Sequence, residues 1–416
     1  MCTMGPGPWL DSQGLALMQL ADAFWSNQNR VGPGNPLSST VALHFIYLER
    51  PGTFPKGFLS HPEFATSNCN MVAISTVRGH NSSITRLYGP SLVAVFVGGT
   101  SGIGETTARA FVQNTQSPRV YLIGRDQKRA SEIIEDLRRV NPQGRVHFIK
   151  TDVSLLGEVD DTCRIIQQKE SKVNLLFLSP GVGTTSGRNE TKEGLDKKLS
   201  LHYYARMRFV ANFLPELTRA GEAETASGSK TGLSRVVSVL EAGSESSLQL
   251  DDLSLKTHYS LRNCAKHSIT MNSVSMEHLA QSYPHVSFMH CFPGIVRTRL
   301  MRDMGTMGKL GIESLLLLAK PWEIPFVESG ERHLYAATSP HFSPRARMGT
   351  RDAAQGSDGN PGSGFYRVAS DGSTYKTSKI MQQYREDGTR SLIWEHALET
   401  FASVCGGQKH GTKAIL

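Results

Sequence analysis

The chain has 416 residues, of which 20% are charged, and a formal net charge of +8 at pH 7. Because this excess is modest and the cations are interspersed with acidic residues, the composition argues against a continuous basic surface for nucleic acid. No run reaches the roughly eighteen apolar residues of a membrane-spanning helix, and the six cysteines lack the spacing of a metal site. We therefore expect a cytoplasmic protein with no membrane span, no metal and no nucleic-acid partner.

Residues 1–86 lack a regular alternation of strand and helix patterns. Glycines and prolines are scattered among short apolar runs, as in VGPGNPLSST and ERPGTFPKG, and such a segment has little core of its own. The basic start and uninterrupted apolar run of a secretory signal are not found in residues 1–30. We expect a poorly ordered N-terminal extension, within which Met71 is a possible true start.

The first strong pattern is LVAVFVGGTSGIGETTARAF, beginning at Leu92. Its β-branched and aromatic part, Val93 to Val97, predicts a buried central strand. The glycines that follow remove Cβ atoms that would keep the backbone from a phosphate, and the next helix presents free N–H groups there. The pattern predicts a dinucleotide-binding turn, although a loop that merely tolerates glycine is the alternative. The residues expected to contact the dinucleotide are Gly98, Ser101, Gly102, Ile103 and Gly104.

A second strand, Val120 to Ile123, ends about twenty residues after the glycines, where NAD-binding chains place an acidic residue and NADP-binding chains an arginine. Arg125 occupies this position, and its guanidinium can bind a 2′-phosphate through two hydrogen bonds. The sequence therefore predicts NADP rather than NAD. Alternatively, Arg125, Lys128 and Arg129 are a solvated helix start, which Asp126 would cap.

Later segments continue the alternation of strand and helix. Further strands are predicted at Arg145–Lys150, Ser234–Val239 and Val286–Phe292, with helical patterns between them. Alternating elements of this kind predict an α/β fold with a Rossmann-like, doubly wound parallel sheet. Asp152 follows the third strand, and either it or Ser154 could cap a helix that begins near Leu155.

We expect one main domain at residues 87–345. Residues 346–416 are expected to contain a flexible insertion, RDAAQGSDGNPGSG, followed by a strand at Phe365–Val368 and a helix at Ile380–Val404 that complete the domain.

The spacing Gly98-x-x-x-Gly102-x-Gly104 resembles the first turn of the short-chain dehydrogenase/reductase family. The stretch Pro293-Gly294-Ile295-Val296-Arg297-Thr298 is similar to the family's Pro-Gly-x-Val-x-Thr motif. The resemblance implies the same fold, and it implies that an Asp after the third strand reaches the adenine while the second motif closes over the nicotinamide. The residues that it adds to the cofactor site are Asp152, Val153, Gly181, Pro293, Gly294, Val296 and Thr298.

Members of this family usually transfer protons with an Asn, a Ser, a Tyr and a Lys one helical turn after the Tyr. By spacing, His202 stands at the Asn position and Glu241 at the Ser position. A histidine near its ordinary pKa and a carboxyl whose pKa is raised by burial are both able to act as acids.

The Tyr-x-x-x-Lys pair is also substituted. Counting back along the helix places Ser260 and Cys264 at the two positions, whereas a shift of one residue gives Tyr259 and Asn263. Lys266 lies about 10 Å further along a helix axis than Tyr259 and cannot replace a lysine at i+4. Tyr259, Glu241 and His202 are therefore the candidate catalytic residues, with ordinary packing roles as the alternative.

We interpret the chain as an NADP-dependent oxidoreductase that reduces a ketone or oxidises an alcohol by hydride transfer. It resembles divergent family members of fungal secondary-metabolite pathways, and the Met- and Leu-rich stretch from Met301 to Leu318 suits a hydrophobic small-molecule substrate. Loss of the usual catalytic set leaves two alternatives, which are a non-catalytic NADP-binding sensor or scaffold and a non-redox enzyme. The resemblance also implies a homodimer or homotetramer that pairs the helices predicted at Leu199–Leu214 and Cys264–Leu279.

Overall fold

The computed structural model describes residues 71–184, 186–223, 232–298, 320–348 and 352–406. They contain a sheet of seven parallel strands in the order β3-β2-β1-β4-β5-β6-β7. The predicted α/β fold with a doubly wound parallel sheet is therefore confirmed. The strands are β1 Val93–Val97, β2 Arg119–Gly124, β3 Arg145–Lys150, β4 Leu175–Leu178, β5 Arg235–Val239, β6 Ser287–Cys291 and β7 Phe365–Val368.

Helices connect the strands and cover both faces of the sheet. A single turn at Lys197–Leu199 and a π-helix at Ser200–Tyr204 lead directly into the sixth of the longer helices. The longer helices are α1 Ile74–Asn81, α2 Ile84–Tyr88, α3 Gly102–Asn114, α4 Gln127–Val140, α5 Leu156–Gln167, α6 Ala205–Glu222, α7 Leu261–Ser282, α8 Phe326–Thr338, α9 Lys379–Glu386 and α10 Thr389–Cys405.

Two apolar clusters form the core. One packs α5, α6, α7 and α10 on the first face of the sheet, and the other packs α3, α4 and α8 on the second face. Strands that are covered on both faces carry continuous apolar runs instead of alternating ones, and β1 and β4 are accordingly buried along their whole length. This explains why uninterrupted runs such as VAVFV marked the strands in the sequence.

Helices α1 and α2 lie in the part of the chain where the sequence predicts only a poorly ordered extension. They dock on α8: Asn81 donates to the Glu331 carbonyl at 3.0 Å, and the Tyr88 hydroxyl donates to the Thr338 carbonyl at 2.6 Å. Val77 and Ile84 are fully buried. The described residues that precede β1 therefore contribute to the packing of the domain.

The predicted C-terminal helix is two helices, α9 and α10. Gly388 separates them with a φ of +80°, a left-handed conformation that ends one helix and redirects the chain into the next. The pattern of apolar residues continues across this break, which is why the sequence predicted one helix.

A buried ion pair attaches β7 to the loop that follows β5. Arg367 donates to the Glu245 carboxylate at 2.7 Å, and both side chains are almost completely inaccessible to solvent. Ser273 of α7 donates to the same carboxylate at 2.6 Å and also lies 2.7 Å from His290 Nδ1 of β6. Burial alone would raise the pKa of Glu245, but Arg367, His290 and Ser273 lower it below its ordinary value. The Glu245 carboxylate thus connects the loop after β5 with β7 and α7 and, through Ser273, with β6.

We expect Arg367→Met to destabilise the domain by about 3 to 5 kcal/mol, because it leaves the Glu245 charge buried without its partner. Urea unfolding measures the change from the transition midpoint. Arg139→Met is the matched control, since Arg139 forms only exposed ion pairs on α4 and should cost less than about 1 kcal/mol. Equal losses in the two variants would contradict the role of the buried pair.

Candidate functional site

Parallel sheets of this kind bind ligands at the carboxyl ends of the strands, where the strand order reverses direction. Here β1 lies between β2 and β4, so the chain winds away from β1 on both sides. The turn after β1 meets the segment Leu178-Ser179-Pro180-Gly181 at this point, and Ser179 N donates to the Val97 carbonyl at 2.9 Å. The predicted dinucleotide turn therefore occupies the expected crevice.

The glycines are required by close packing in this turn. A Cβ at Gly104 would lie 2.5 Å from Ser179 Oγ and 2.6 Å from the Gly98 carbonyl oxygen. Gly98 has a φ of +83°, and a Cβ there would lie 3.0 Å from the Ser179 carbonyl carbon. Gly102 has a φ of +63°. A side chain at Gly104 has no space, and the positive φ of Gly98 and Gly102 disfavours other residues there, which argues against a loop that merely tolerates glycine.

Helix α3 begins inside this turn. Ser101 precedes the helix, and its side chain makes no capping hydrogen bond. The N–H groups of the first helical turn, which includes Ile103, remain available to a ligand, and the positive end of the helix dipole favours an anion. A tight glycine turn with an uncapped helix start fits the pyrophosphate of a dinucleotide.

The second family-like motif lies over the same turn. A Cβ at Gly102 would be 3.8 Å from Thr298 Cβ, so the Pro293–Thr298 stretch approaches the glycine turn in space. Gly294 has a φ of +73°, and a Cβ there would meet Ile324 at 2.8 Å. The fold thus brings together two motifs that are distant in the sequence.

The cations after β2 differ in their partners. Arg129 is bound to Glu105 at 2.7 Å and to Glu132 at 3.2 Å. Asp126 accepts from Arg129 N and caps α4, as the sequence predicts. Arg125 is exposed and has no hydrogen-bond or ion-pair partner among the residues that the structure describes. Of these two arginines, Arg125 is the one free to bind an added phosphate.

Asp152 and Val153 follow β3. The Asp152 carboxylate accepts from Ser154 N at 3.1 Å and from Ser154 Oγ at 2.7 Å, while Val153 is buried. Neither Asp152 nor Ser154 caps the next helix, which corrects one reading of the sequence. The first N–H group of α5, at Leu156, donates instead to Glu193 from the loop after β4. The residues around α5 could not predict this cap, because Glu193 is distant from Leu156 in the sequence.

His202 lies in the π-helix before α6. Its Nε2 accepts a hydrogen bond from Val182 N at 3.2 Å, next to Gly181. Burial, together with the nearby charges of Arg206 and Lys198, lowers the pKa of His202 to about 3. His202 is therefore neutral at pH 7, with its Nε2 lone pair already engaged, and this arrangement does not favour it as a proton donor.

A buried arginine holds the ends of two strands against this helix. Arg206 donates to the Pro180 carbonyl at 2.6 Å, to the Val239 carbonyl at 2.8 Å and to Ser238 Oγ at 2.7 Å. Burial lowers its pKa to about 9. Asn272 of α7 donates to the carbonyl of His202 at 2.6 Å. These contacts fix the π-helix between β4, β5 and α7.

Glu241 lies in the loop after β5. Its carboxylate accepts from Ser244 Oγ at 3.0 Å, and its backbone N–H donates to His290 Nε2 at 3.3 Å. Gly243, two residues further on, has a φ of +97°, and a Cβ there would lie 2.7 Å from the ring of Tyr375. Tyr375 follows β7 and was not a candidate from the sequence, because only the fold brings it to this loop.

Tyr259 precedes α7, and its hydroxyl accepts a hydrogen bond from Lys198 Nζ at 2.9 Å. Burial raises the pKa of Tyr259, and Cys264 and Asp196 raise it further. Sequence reasoning missed Lys198 because it looked for a lysine one helical turn after the tyrosine, whereas Lys198 comes from the turn before the π-helix. Lys198 thus contacts Tyr259, and its charge also lowers the pKa of His202.

Other expectations fall on parts of the chain that are not described. The Met- and Leu-rich stretch from Met301 to Leu318 lies outside the described residues. Among the described helices, none is both long enough and apolar enough to cross a membrane.

Comparison with known proteins gives consistent matches. The family model described as short chain dehydrogenase matches residues 92–308. Oxidoreductase AN1596 of Emericella nidulans is 41% identical over 335 residues, which cover 78% of this chain and 97% of that protein. Oxidoreductase andH of Emericella variicolor is 36% identical, with 81% and 98% covered. Oxidoreductase lepF of Aspergillus flavus is 32% identical, with 80% and 98% covered.

We expect Gly104→Ala to weaken NADPH binding by about tenfold or more, because the new Cβ has no space beside Ser179 and Gly98 and the helix start must move. Nicotinamide fluorescence measures the dissociation constant. Gly79→Ala is the control, since a Cβ at this helical position meets nothing within 4 Å. If both variants bind NADPH like the natural protein, the turn is not the binding site.

A second expectation concerns stability against acid. The pKa of His202 is about 3 in the folded protein and about 6.5 in an unfolded chain. Between these values the unfolded state takes up a proton and the folded state does not, so stability falls as the pH falls below about 6.5, by at most about 1.4 kcal/mol per pH unit. His202→Asn removes this dependence.

Urea unfolding of both proteins at several pH values measures the difference. Above about pH 7 the two stability curves should run parallel, and below about pH 6 the natural protein should lose stability faster. The other buried histidines contribute to both proteins and cancel in the comparison. Parallel curves down to pH 4 would mean that His202 is not held neutral by burial.

Proposed function

This chain belongs to the short-chain dehydrogenase family, and we propose that it is an NADP-dependent oxidoreductase that acts on a hydrophobic small molecule. The observation that carries the proposal is the tight glycine turn at the uncapped start of α3, with Thr298 above it and Arg125 beside it. The bound nicotinamide would supply or accept the hydride. The residues proposed to hold the cofactor are Gly98, Ser101, Gly102, Ile103, Gly104, Arg125, Asp152, Val153, Gly181, Pro293, Gly294, Val296 and Thr298.

The choice of NADP rests on Arg125. Its side chain is exposed at the end of β2 and has no partner within the described part of the chain, whereas Arg129 is already paired with two carboxylates. An unpaired guanidinium at this point can bind two of the three terminal oxygens of a 2′-phosphate. With NAD the Arg125 guanidinium would face two neutral ribose hydroxyl groups, and the free energy of binding would be less favourable.

The substrate class is inferred from apolar surface near the Pro293–Thr298 motif. Trp322 is 67% exposed and Val327 is 66% exposed, and Ile324 N donates to the Ile295 carbonyl, which joins this segment to the motif. Exposed large apolar side chains beside a cleft favour an apolar ligand. The fungal relatives and the Met- and Leu-rich sequence of residues 301–318 support a substrate from a secondary-metabolite pathway.

We assign the proton transfer to Tyr259, whose O–H group is protonated at neutral pH. Glu241 is proposed to line the same cleft, with its carboxylate bonded to Ser244. His202 is proposed to position the loop after β4 through its bond with Val182 N.

A second function is favoured by one observation. In one of the two registers Ser260 and Cys264 stand at the family's Tyr and Lys positions, and both have other roles: Ser260 caps α7, and Cys264 is buried with its pKa raised to about 12. A chain that kept the cofactor site and lost the reaction would be an NADP-binding sensor or scaffold.

Titration of the full-length protein with NADPH and NADH, followed by nicotinamide fluorescence, tests the proposal. We expect NADPH to bind more tightly, and NADPH absorbance to fall when hydrophobic ketones are added. Binding without turnover across the ketone panel would favour the sensor or scaffold, and binding of neither nucleotide would reject both functions.

We expect Arg125→Ala to weaken NADPH binding by about 10- to 100-fold, the cost of losing a charge-assisted hydrogen bond, and to leave NADH binding unchanged. Arg138→Ala is the control, since Arg138 is an exposed arginine on α4. An equal loss for both nucleotides would show that Arg125 does not contact the 2′-phosphate.

A further inference from the structure

Lys198 is a buried lysine whose ammonium is fully bonded. The residue is only 7% exposed, and Nζ donates to the Ser186 carbonyl at 2.7 Å, the Gly187 carbonyl at 3.2 Å and the Tyr259 hydroxyl at 2.9 Å. An ammonium has three protons to donate, and burying it costs free energy unless each finds an acceptor. Two of the acceptors are fixed backbone groups, so the ammonium is held at one place beside Tyr259.

Asp196 fixes the backbone that carries Lys198. Its Oδ1 accepts from Lys198 N and from Leu199 N, both at 3.0 Å, and its Oδ2 accepts from Asn189 N at 2.9 Å. Asp196 is itself buried. The helical turn therefore starts at a defined point, and the lysine side chain has little freedom to leave the tyrosine.

The expected lysine position cannot serve Tyr259 in the same way. A lysine one helical turn after the tyrosine is replaced by Asn263 or, in the other register, by Cys264. Asn263 donates to the His258 carbonyl, and the Cys264 thiol is neutral because burial raises its pKa to about 12. Within the described residues, Lys198 is the cation in contact with the Tyr259 hydroxyl.

We infer that Lys198 is a positioning residue for Tyr259, and that it takes over from a different helix the task of the missing lysine. The inference rests on the proposed function. In carbonyl reduction, the O–H bond of Tyr259 breaks and a new O–H bond forms on the substrate oxygen, while the carbonyl carbon gains the hydride that the proposed cofactor supplies. The tyrosinate that remains is stabilised by the Lys198 ammonium until it takes a proton from water.

The surroundings of Tyr259 make this cation necessary. Burial disfavours the tyrosinate, and Cys264 and Asp196 raise the pKa of Tyr259 further. Burial also lowers the pKa of Lys198, but Asp196 opposes that change. The Lys198 ammonium lies 2.9 Å from the Tyr259 hydroxyl oxygen. Its positive charge offsets this destabilisation in the transition state, because negative charge develops on the tyrosine oxygen there.

The experiment uses full-length variants and a double-mutant cycle. Tyr259→Phe should lower kcat by about 100-fold or more, and Lys198→Met should lower it by about 10- to 100-fold with little change in KM. Lys198→Arg should retain part of the rate because it keeps the charge. Lys197→Met is the matched control: the neighbouring lysine has no described side-chain partner and should leave kcat unchanged.

The decisive variant combines Lys198→Met with Tyr259→Phe. If Lys198 acts through Tyr259, the double variant is no slower than Tyr259→Phe alone. If the two losses add, Lys198 acts elsewhere and the inference is overturned. Thermal unfolding of each variant identifies any that fails to fold. If Lys198→Met fails to fold, the rate of Lys198→Arg is compared with that of the control Lys197→Met.

A second readout does not need turnover. It is the NMR chemical shift of tyrosine Cζ, measured on ¹³C-labelled protein to which no nucleotide has been added. The signal missing in Tyr259→Phe identifies Tyr259, and we expect Lys198→Met to move it and Lys197→Met to leave it in place. An unmoved signal in Lys198→Met rejects the inference. Failure of the natural protein to bind NADPH rejects the proposed function instead, so the two failures are told apart.

Discussion

The site depends on how closely the turn after β1 approaches the end of β4. Gly104, Gly98 and Ser179 occupy a space in which one additional Cβ would meet backbone or hydroxyl oxygen at 2.5 to 2.6 Å. This contact sets where α3 begins, and therefore where its free N–H groups point. In the proposed phosphate site the ligand would meet backbone N–H groups, which cannot adjust to a misplaced turn as side chains can, so the site would depend on this close packing.

The other half of the site depends on the buried charge of Arg206. Its hydrogen bonds join the ends of β4 and β5 to the π-helix, and no carboxylate takes part in the contacts described above. A π-helix changes the direction in which successive side chains project. Here the distortion lies between Lys198, which reaches Tyr259, and α6, which packs in the core. The π-helix thus separates Lys198, which lies beside the proposed proton donor, from the packed helix α6.

The two halves have diverged to different degrees from the family pattern. The proposed cofactor half retains its glycines and its Pro-Gly motif because backbone geometry restricts the residues that can stand there. The proposed proton-transfer half consists of side chains, which can be supplied from any element that reaches the same point. Lys198 reaches Tyr259, and Tyr375 reaches the loop after β5, from segments outside the usual positions, so substitution in the motif leaves other polar groups that could take part in the proposed chemistry.

The sequence by itself determined the strands, the parallel α/β fold and the glycine turn. The bounds of β1, β3 and β7 agree with prediction because a strand buried on both faces is marked by its own apolar run. Only the tertiary structure decided that Lys198 meets Tyr259, that Glu193 caps α5, that Gly388 divides the last helix and that Tyr375 covers Gly243. Three of these contacts join residues far apart in the chain, and a contact between distant segments leaves no local pattern from which it could be predicted.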